Sequence, residues 1–180
     1  MLALLNAFWQ VVLFREGPES LPDSKPLLFI ATTAYALTDC LIVFSSELGQ
    51  NWGELTALQL LARMLVPAIL DIALLLVSVV AALVYFGFPG RLRQTLTALF
   101  GATALLQLLT WPCFVLLIFE QFSELWAVSI LALVVMLLWS IAVFSHILSR
   151  AIARSFGFGV ILAVSYFFVN YQMFQLIPDF

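Results

Sequence analysis

Charge is what this chain has least of. Its 180 residues carry seven Lys and Arg and ten Asp and Glu, 9% in all, against roughly 25% in an ordinary soluble domain. The resulting net charge of −3 offers nucleic acid no basic footprint, so no nucleic-acid partner is expected. Histidine occurs once and cysteine twice. A lone imidazole, His146, makes neither a zinc site nor a paired-His haem site. Cys40 and Cys113 form no Cys-x-x-Cys pair, and the default reading of each is a buried free thiol. Gly-x-Ser-x-Gly, Gly-x-x-x-x-Gly-Lys and His-Glu-x-x-His are all absent, which leaves no enzymatic motif to build on and no cofactor to expect.

What fills the space instead is apolar. Residues of that kind make up 64% of the chain, and the mean hydropathy is +1.15. Such a composition demands lipid. A helix crossing the hydrocarbon core needs about 20 mostly apolar residues, because only an internally hydrogen-bonded backbone survives there. Five stretches qualify: Leu27–Ser45, Leu58–Phe86, Thr95–Phe119, Trp126–His146 and Phe156–Leu176. Between them lie polar and glycine-bearing breaks at 45–53, 87–91, 120–124 and 149–155. Ten-residue alternation of apolar and polar positions is missing, so the spans are read as helices rather than barrel strands. The expected architecture is an all-α bundle of five transmembrane helices over 27–180, preceded by a short N-terminal segment over 1–26.

That segment divides in two. Met1–Phe14 is apolar but lacks a basic start and a small-residue cleavage site, so it does not read as a secretory signal. Fourteen helical residues reach only ~21 Å, too short to span. Asn6 and Gln10 share one face, which suggests a helix lying in the membrane interface; burial against the other helices is the alternative. From Gly17 to Pro26, prolines at 18, 22 and 26 forbid a continuous helix and predict a stiff connector.

Orientation follows from the cations, since Lys and Arg in short loops stay cytoplasmic. Arg15, Lys25, Arg91, Arg93, Arg150 and Arg154 fall in alternate connections, whereas the other two connections carry Glu47, Glu54, Glu120 and Glu124. This pattern predicts a cytoplasmic N-terminus and a C-terminus on the far side. Trp52, Trp111 and Trp126 are expected near the outer boundary, where an indole prefers to lie.

Ionisable groups at membrane depth are the informative ones, each costing ~2.5–3.5 kcal/mol on insertion scales. Asp39 in the first span and Arg63 in the second fall at comparable depth and are candidates to pair. Asp71 lies about 12 Å further in than Arg63, with no cation at its level. It is either neutral or hydrogen-bonded to another span. Pro67 frees the carbonyl of Arg63 and loosens the turn before Asp71. A structural reading makes this trio a staple between helices; a functional one makes Asp71 a proton or cation site. No second segment resembles the one around Asp71, so the inverted repeat common in coupled transporters is not seen.

Three further features stand out. His146, Arg150 and Arg154 fall at i, i+4 and i+8, a basic row that could hold anionic headgroups or simply set topology. Thr97 with Gly101, and Ala98 with Ala102, place small residues four apart for close helix contact. Asn170, Gln172 and Gln175 make the end of the last span polar, as contact with a protein partner would require.

The stretch RLRQTLTALFGATALL (91–106), Pro112, a tight acidic turn, WSIAVFSHILSRAIAR (139–154) and a closing helix resemble the Yip-domain family of membrane proteins, over roughly 58–177. That resemblance implies five spans, a non-enzymatic adaptor role and, in eukaryotic members, Golgi traffic with Rab GTPases. The chain lacks their long hydrophilic N-terminal region and the motifs before the first span, which removes most of the basis for a Rab partner. Its compact form is closer to bacterial members, implying an inner-membrane location. The function expected from sequence is therefore an adaptor or accessory subunit with a membrane-protein or homo-oligomeric partner, the alternative being a proton- or ion-coupled transport component using Asp71.

Overall fold

A computed structural model of the chain describes residues 2–50, 56–118 and 124–176. Trp52, Glu54 and Glu120 lie outside the described residues. The helices are α1 (Leu2–Val12), α2 (Lys25–Gln50), α3 (Ala57–Tyr85), α4 (Leu92–Ile118), α5 (Trp126–Ala151) and α6 (Phe156–Gln175), with single 3₁₀ turns at Pro18–Ser20 and Pro89–Arg91. No strand occurs among the described residues. The five helices from α2 onward are each long and apolar enough to cross a bilayer, so the chain is an integral membrane protein with the all-α architecture expected from its composition.

Two boundaries differ from expectation for one physical reason. α2 continues past Ser45 to Gln50, and α5 past His146 to Ala151. The breaks expected at 45–53 and 149–155 open on serines, yet each of these turns its hydroxyl back onto its own helix: Ser45 to the Leu41 carbonyl at 2.8 Å, Ser46 to Val43 at 2.7 Å and Ser149 to His146 at 3.0 Å. In lipid, where water is no competitor, that arrangement satisfies the hydroxyl without ending the helix.

α4 is the centre of the bundle. It packs against α2 and α5 most extensively and touches α1 and α3 as well, and its residues 95–102 are all buried. Small side chains make this possible. A Cβ on Gly101 would overlap the Phe8 ring of α1, so the glycine is the seat on which the N-terminal helix rests. Of the two placements open for that helix, the face carrying Phe8, Val11 and Val12 is buried against the bundle while Leu4, Leu5 and Trp9 are exposed. Trp139 Nε1 donates to the Val12 carbonyl at 3.2 Å, anchoring its end. The Asn6 and Gln10 side chains hydrogen-bond to each other at 3.3 Å.

α5 and α6 approach closely at Gly159, whose Cβ would overlap the Ser145 carbonyl. Exposed Leu, Val and Ile side chains on α3 and α5, among them Ile69, Val77, Val84, Val128, Leu131 and Leu138, form the outer faces that a bilayer would cover. Pro67 and Pro112 lie inside continuous helices.

Candidate intramembrane site

Asp71 stands at the midpoint of α3 and is 5% exposed. A carboxyl so placed must find donors within the protein. Both come from α6: the Tyr166 hydroxyl donates to Asp71 Oδ1 at 2.5 Å, and Asn170 Nδ2 donates to the same oxygen. Tyr166 and Asn170 are four apart, one turn, so a single face of α6 delivers both groups. Phe144 of α5 stacks on the Tyr166 ring, with centroids 5.3 Å apart and planes 15° apart, which fixes the phenol. The hydrogen bonds from another span that the sequence offered as one account of Asp71 are present.

The expected Asp39–Arg63 pair does not form. Arg63 Nη1 bonds instead to both carboxylate oxygens of Glu47 at 3.1 Å. The reason is the extra length of α2: Glu47 belongs to the helix rather than to a loop, about 12 Å beyond Asp39, and thereby reaches the guanidinium. Asp39 is left on the same helix and turns toward α4. Gln107 Nε2 donates to Asp39 Oδ1 at 3.3 Å, and the Thr38 hydroxyl lies 2.5 Å from Gln107 Oε1 and 2.9 Å from the Tyr35 carbonyl. Asp39 Oδ2 is buried and has no hydrogen-bond partner among the described residues.

Asp39 and Asp71 meet across a shared space. A cavity of about 280 Å³ is lined from every one of the five long helices: Tyr35 and Asp39 of α2, Asp71 of α3, Thr103, Gln107 and Thr110 of α4, Ser140 and Phe144 of α5, and Tyr166 and Asn170 of α6. Oxygen-bearing groups predominate among its polar residues. Among the described residues no three of His, Cys, Asp and Glu gather as a metal cluster. What the set offers is two carboxyl groups with neutral amide and hydroxyl oxygens around them. Such a set can exchange a proton, or replace part of the hydration shell of a small monovalent cation.

Of these residues, only Asp39 and Asp71 are site candidates by sequence. Asn170 stands in the sequence with Gln172 and Gln175 as a polar helix end, while Tyr166 and Gln107 carry no sequence signal of their own. The signal for Tyr166 and Asn170 together is their spacing of four, which puts a phenol and an amide on one face at mid-membrane. Arg63 does not line the cavity.

His146, Arg150 and Arg154 lie at the other candidate location, the end of the bundle that carries most of the arginines. Their helical row is broken, because α5 stops at Ala151 and Ala153 takes a left-handed φ of 50°. The amides of Ala153 and Arg154 bond back to the carbonyls of Arg150 and Ser149 at 3.3 and 3.0 Å, a Schellman cap that turns Arg154 off the helix. The Nε2 atom of His146 is 2.9 Å from the Glu16 carbonyl, and Arg150 pairs with Glu19 at 3.2 Å.

No protein-family model, curated protein or solved structure matches this chain. The cavity and its chemistry are therefore what a functional reading has to stand on.

Proposed function

We propose that this protein handles a proton or a small monovalent cation inside the bilayer, without covalent chemistry, at the cavity that carries Asp39 and Asp71. One observation supports the reading above all: two carboxyl groups from helices α2 and α3 line the same cavity, whose walls are otherwise largely apolar, and Asp39 Oδ2 is buried there with no partner among the described residues. An ionisable group kept at depth is expensive, and function is the usual reason for keeping one. In this reading Asp71 is the exchanging group, Tyr166 and Asn170 hold it in position, and Asp39 provides the second negative site, oriented by Gln107. By the positive-inside bias the arginine-bearing end faces the cytoplasm, so the N-terminus is internal and the C-terminus external. An inner-membrane location belongs to the same proposal, whereas the Yip-domain resemblance favours the adaptor reading below.

Proteoliposomes loaded with a pH-sensitive dye, or supplied with radioactive sodium, test it. Wild-type protein is expected to pass one of the two ions well above empty liposomes, and Asp71→Asn to reduce the rate at least tenfold while eluting as the same folded species. Rates equal to empty liposomes for the wild type, or an unchanged rate for Asp71→Asn, would overturn it.

The adaptor reading keeps one observation in its favour. Phe168, Tyr171 and Phe174 are exposed near the far end of α6, and a tyrosine there has a hydroxyl that a protein partner would satisfy better than hydrocarbon. A photo-crosslinking residue at Tyr171 in native membranes is expected to trap one specific protein if this face docks; uniform lipid adducts would remove the idea.

A further inference from the structure

At the arginine-bearing end, three segments that are distant in sequence line a second, open cavity of about 610 Å³. Glu19 comes from the proline-rich connector, Arg91 from the turn before α4, His146 and Arg150 from the end of α5, Arg154 from the turn after it, and Phe156 from the start of α6. Three guanidinium groups thus face one carboxylate, an excess of positive charge in a chain whose net charge is negative.

The three arginines are not equivalent. Arg91 is fixed: its Nη1 donates to the carbonyls of Arg150 and Ala151 at 3.2 and 3.1 Å, and its guanidinium lies 4.6 Å above the Phe88 ring. In doing so it covers the last carbonyls of α5, removing the negative helix end that would otherwise repel an anion. Arg150 is held by Glu19 in an ion pair exposed on both sides, which is weak and exchangeable. Arg154 has no ion pair among the described residues and stands 5.7 Å over Phe86. α6 begins at the rim of this space, and its Ser155 makes no side-chain cap to the first turn, so the positive end of a 20-residue helix adds to the field.

We propose that this pocket binds a phosphate-ester anion, gripped by Arg150 and Arg154 above a preset Arg91. Guanidinium forks match phosphate oxygens in pairs, which a surface lysine cluster does not do. The anion has two possible sources of one chemistry, the phosphodiester of an anionic lipid headgroup or a soluble phosphate.

The full chain in dodecyl maltoside is titrated with dioleoyl-phosphatidylglycerol and, separately, dioleoyl-phosphatidylcholine by native mass spectrometry, and with inorganic phosphate by calorimetry. A lipid source predicts one tightly held phosphatidylglycerol, with phosphatidylcholine and inorganic phosphate much weaker. A soluble source predicts saturable phosphate binding that is not displaced by phosphatidylglycerol. In either case Arg154→Gln is expected to weaken binding about fivefold, and Arg150→Gln with Arg154→Gln about 25-fold, from the usual contribution of one cation near a membrane surface. Arg93→Gln removes the same charge outside the pocket, where Arg93 pairs with Asp23 at 3.1 Å, and is expected to leave binding unchanged. The proposal is overturned if neither anion binds, if phosphatidylcholine binds as well as phosphatidylglycerol, if Arg154→Gln binds like the wild type, or if Arg93→Gln weakens binding as much.

Discussion

The Tyr166 hydroxyl and Asp71 Oδ1 are 2.5 Å apart, joining the midpoints of two antiparallel helices that otherwise touch little. Together with the Asn170 amide, this contact holds α3 to α6. Asparagine at position 71 retains an acceptor oxygen in the same place; leucine does not, and leaves the phenol and the amide only their weak contact with each other at 3.5 Å. Asp71→Asn is therefore expected to unfold within about 1 kcal/mol of the wild type, and Asp71→Leu to lose about 2 kcal/mol. Equilibrium unfolding in mixed detergent micelles, followed by tryptophan fluorescence, distinguishes them. Equal stability of the two variants would show that the hydrogen bonds do not hold the helices.

Hydropathy made the five spans legible because lipid imposes a length and a polarity that few other environments require. Helix ends were harder to read: at Ser45 and Ser149 the residue type suggested a break, whereas the hydroxyl was already satisfied by the preceding turn. The site was half visible. Asp39 and Asp71 declared themselves by being charged at depth, but their partners depended on helix neighbours that sequence order does not give. Asp39 is a candidate partner for Arg63 only if α2 stops before Glu47, and it does not. Tyr166 and Asn170 went unassigned because residue type marks a polar helix end at Asn170 and nothing in sequence order aims that face at α3.

Glu47 and Arg63 form an ion pair whose side chains are 15% and 23% exposed. A pair this sheltered is expected to couple energetically, whereas Asp39 and Arg63 are not in contact. In double-mutant cycles, Glu47→Gln with Arg63→Met should depart from additivity by about 0.5–3 kcal/mol, and Asp39→Asn with Arg63→Met by less than about 0.5 kcal/mol. The reverse order would restore the pairing that span boundaries alone suggest.

Gly159 and Gly157 make a matched comparison at the start of α6. A methyl group at 159 overlaps the Ser145 carbonyl, a backbone atom that cannot rotate away, while at 157 the nearest atom is Ser155 Oγ at 4.0 Å. Gly159→Ala is expected to lose about 1–3 kcal/mol through overpacking of α5 against α6. Gly157→Ala should be neutral, or gain up to about 1 kcal/mol from helix propensity. Thermal melts by circular dichroism on both variants test the contrast, and an unaffected Gly159→Ala would mean that the two helices can separate freely.

Ala153 and Gly87 occupy the same position in two Schellman caps, with φ of 50° and 82°. At each, the amide of the following residue reaches back to a carbonyl in the last turn: Arg154 to Ser149 at 3.0 Å, and Phe88 to Leu83 at 2.7 Å. Only glycine adopts that backbone without steric cost, which for other residues is roughly 1–2 kcal/mol. The cap after α5 is therefore strained and the cap after α3 is not. Ala153→Gly is expected to raise stability by about 1 kcal/mol, and Gly87→Ala to lower it by about the same amount, in the same melting assay. Because nothing lies within 4 Å of a Cβ at Gly87, crowding cannot account for a loss there. A stabilising Gly87→Ala would therefore contradict the assignment of both caps.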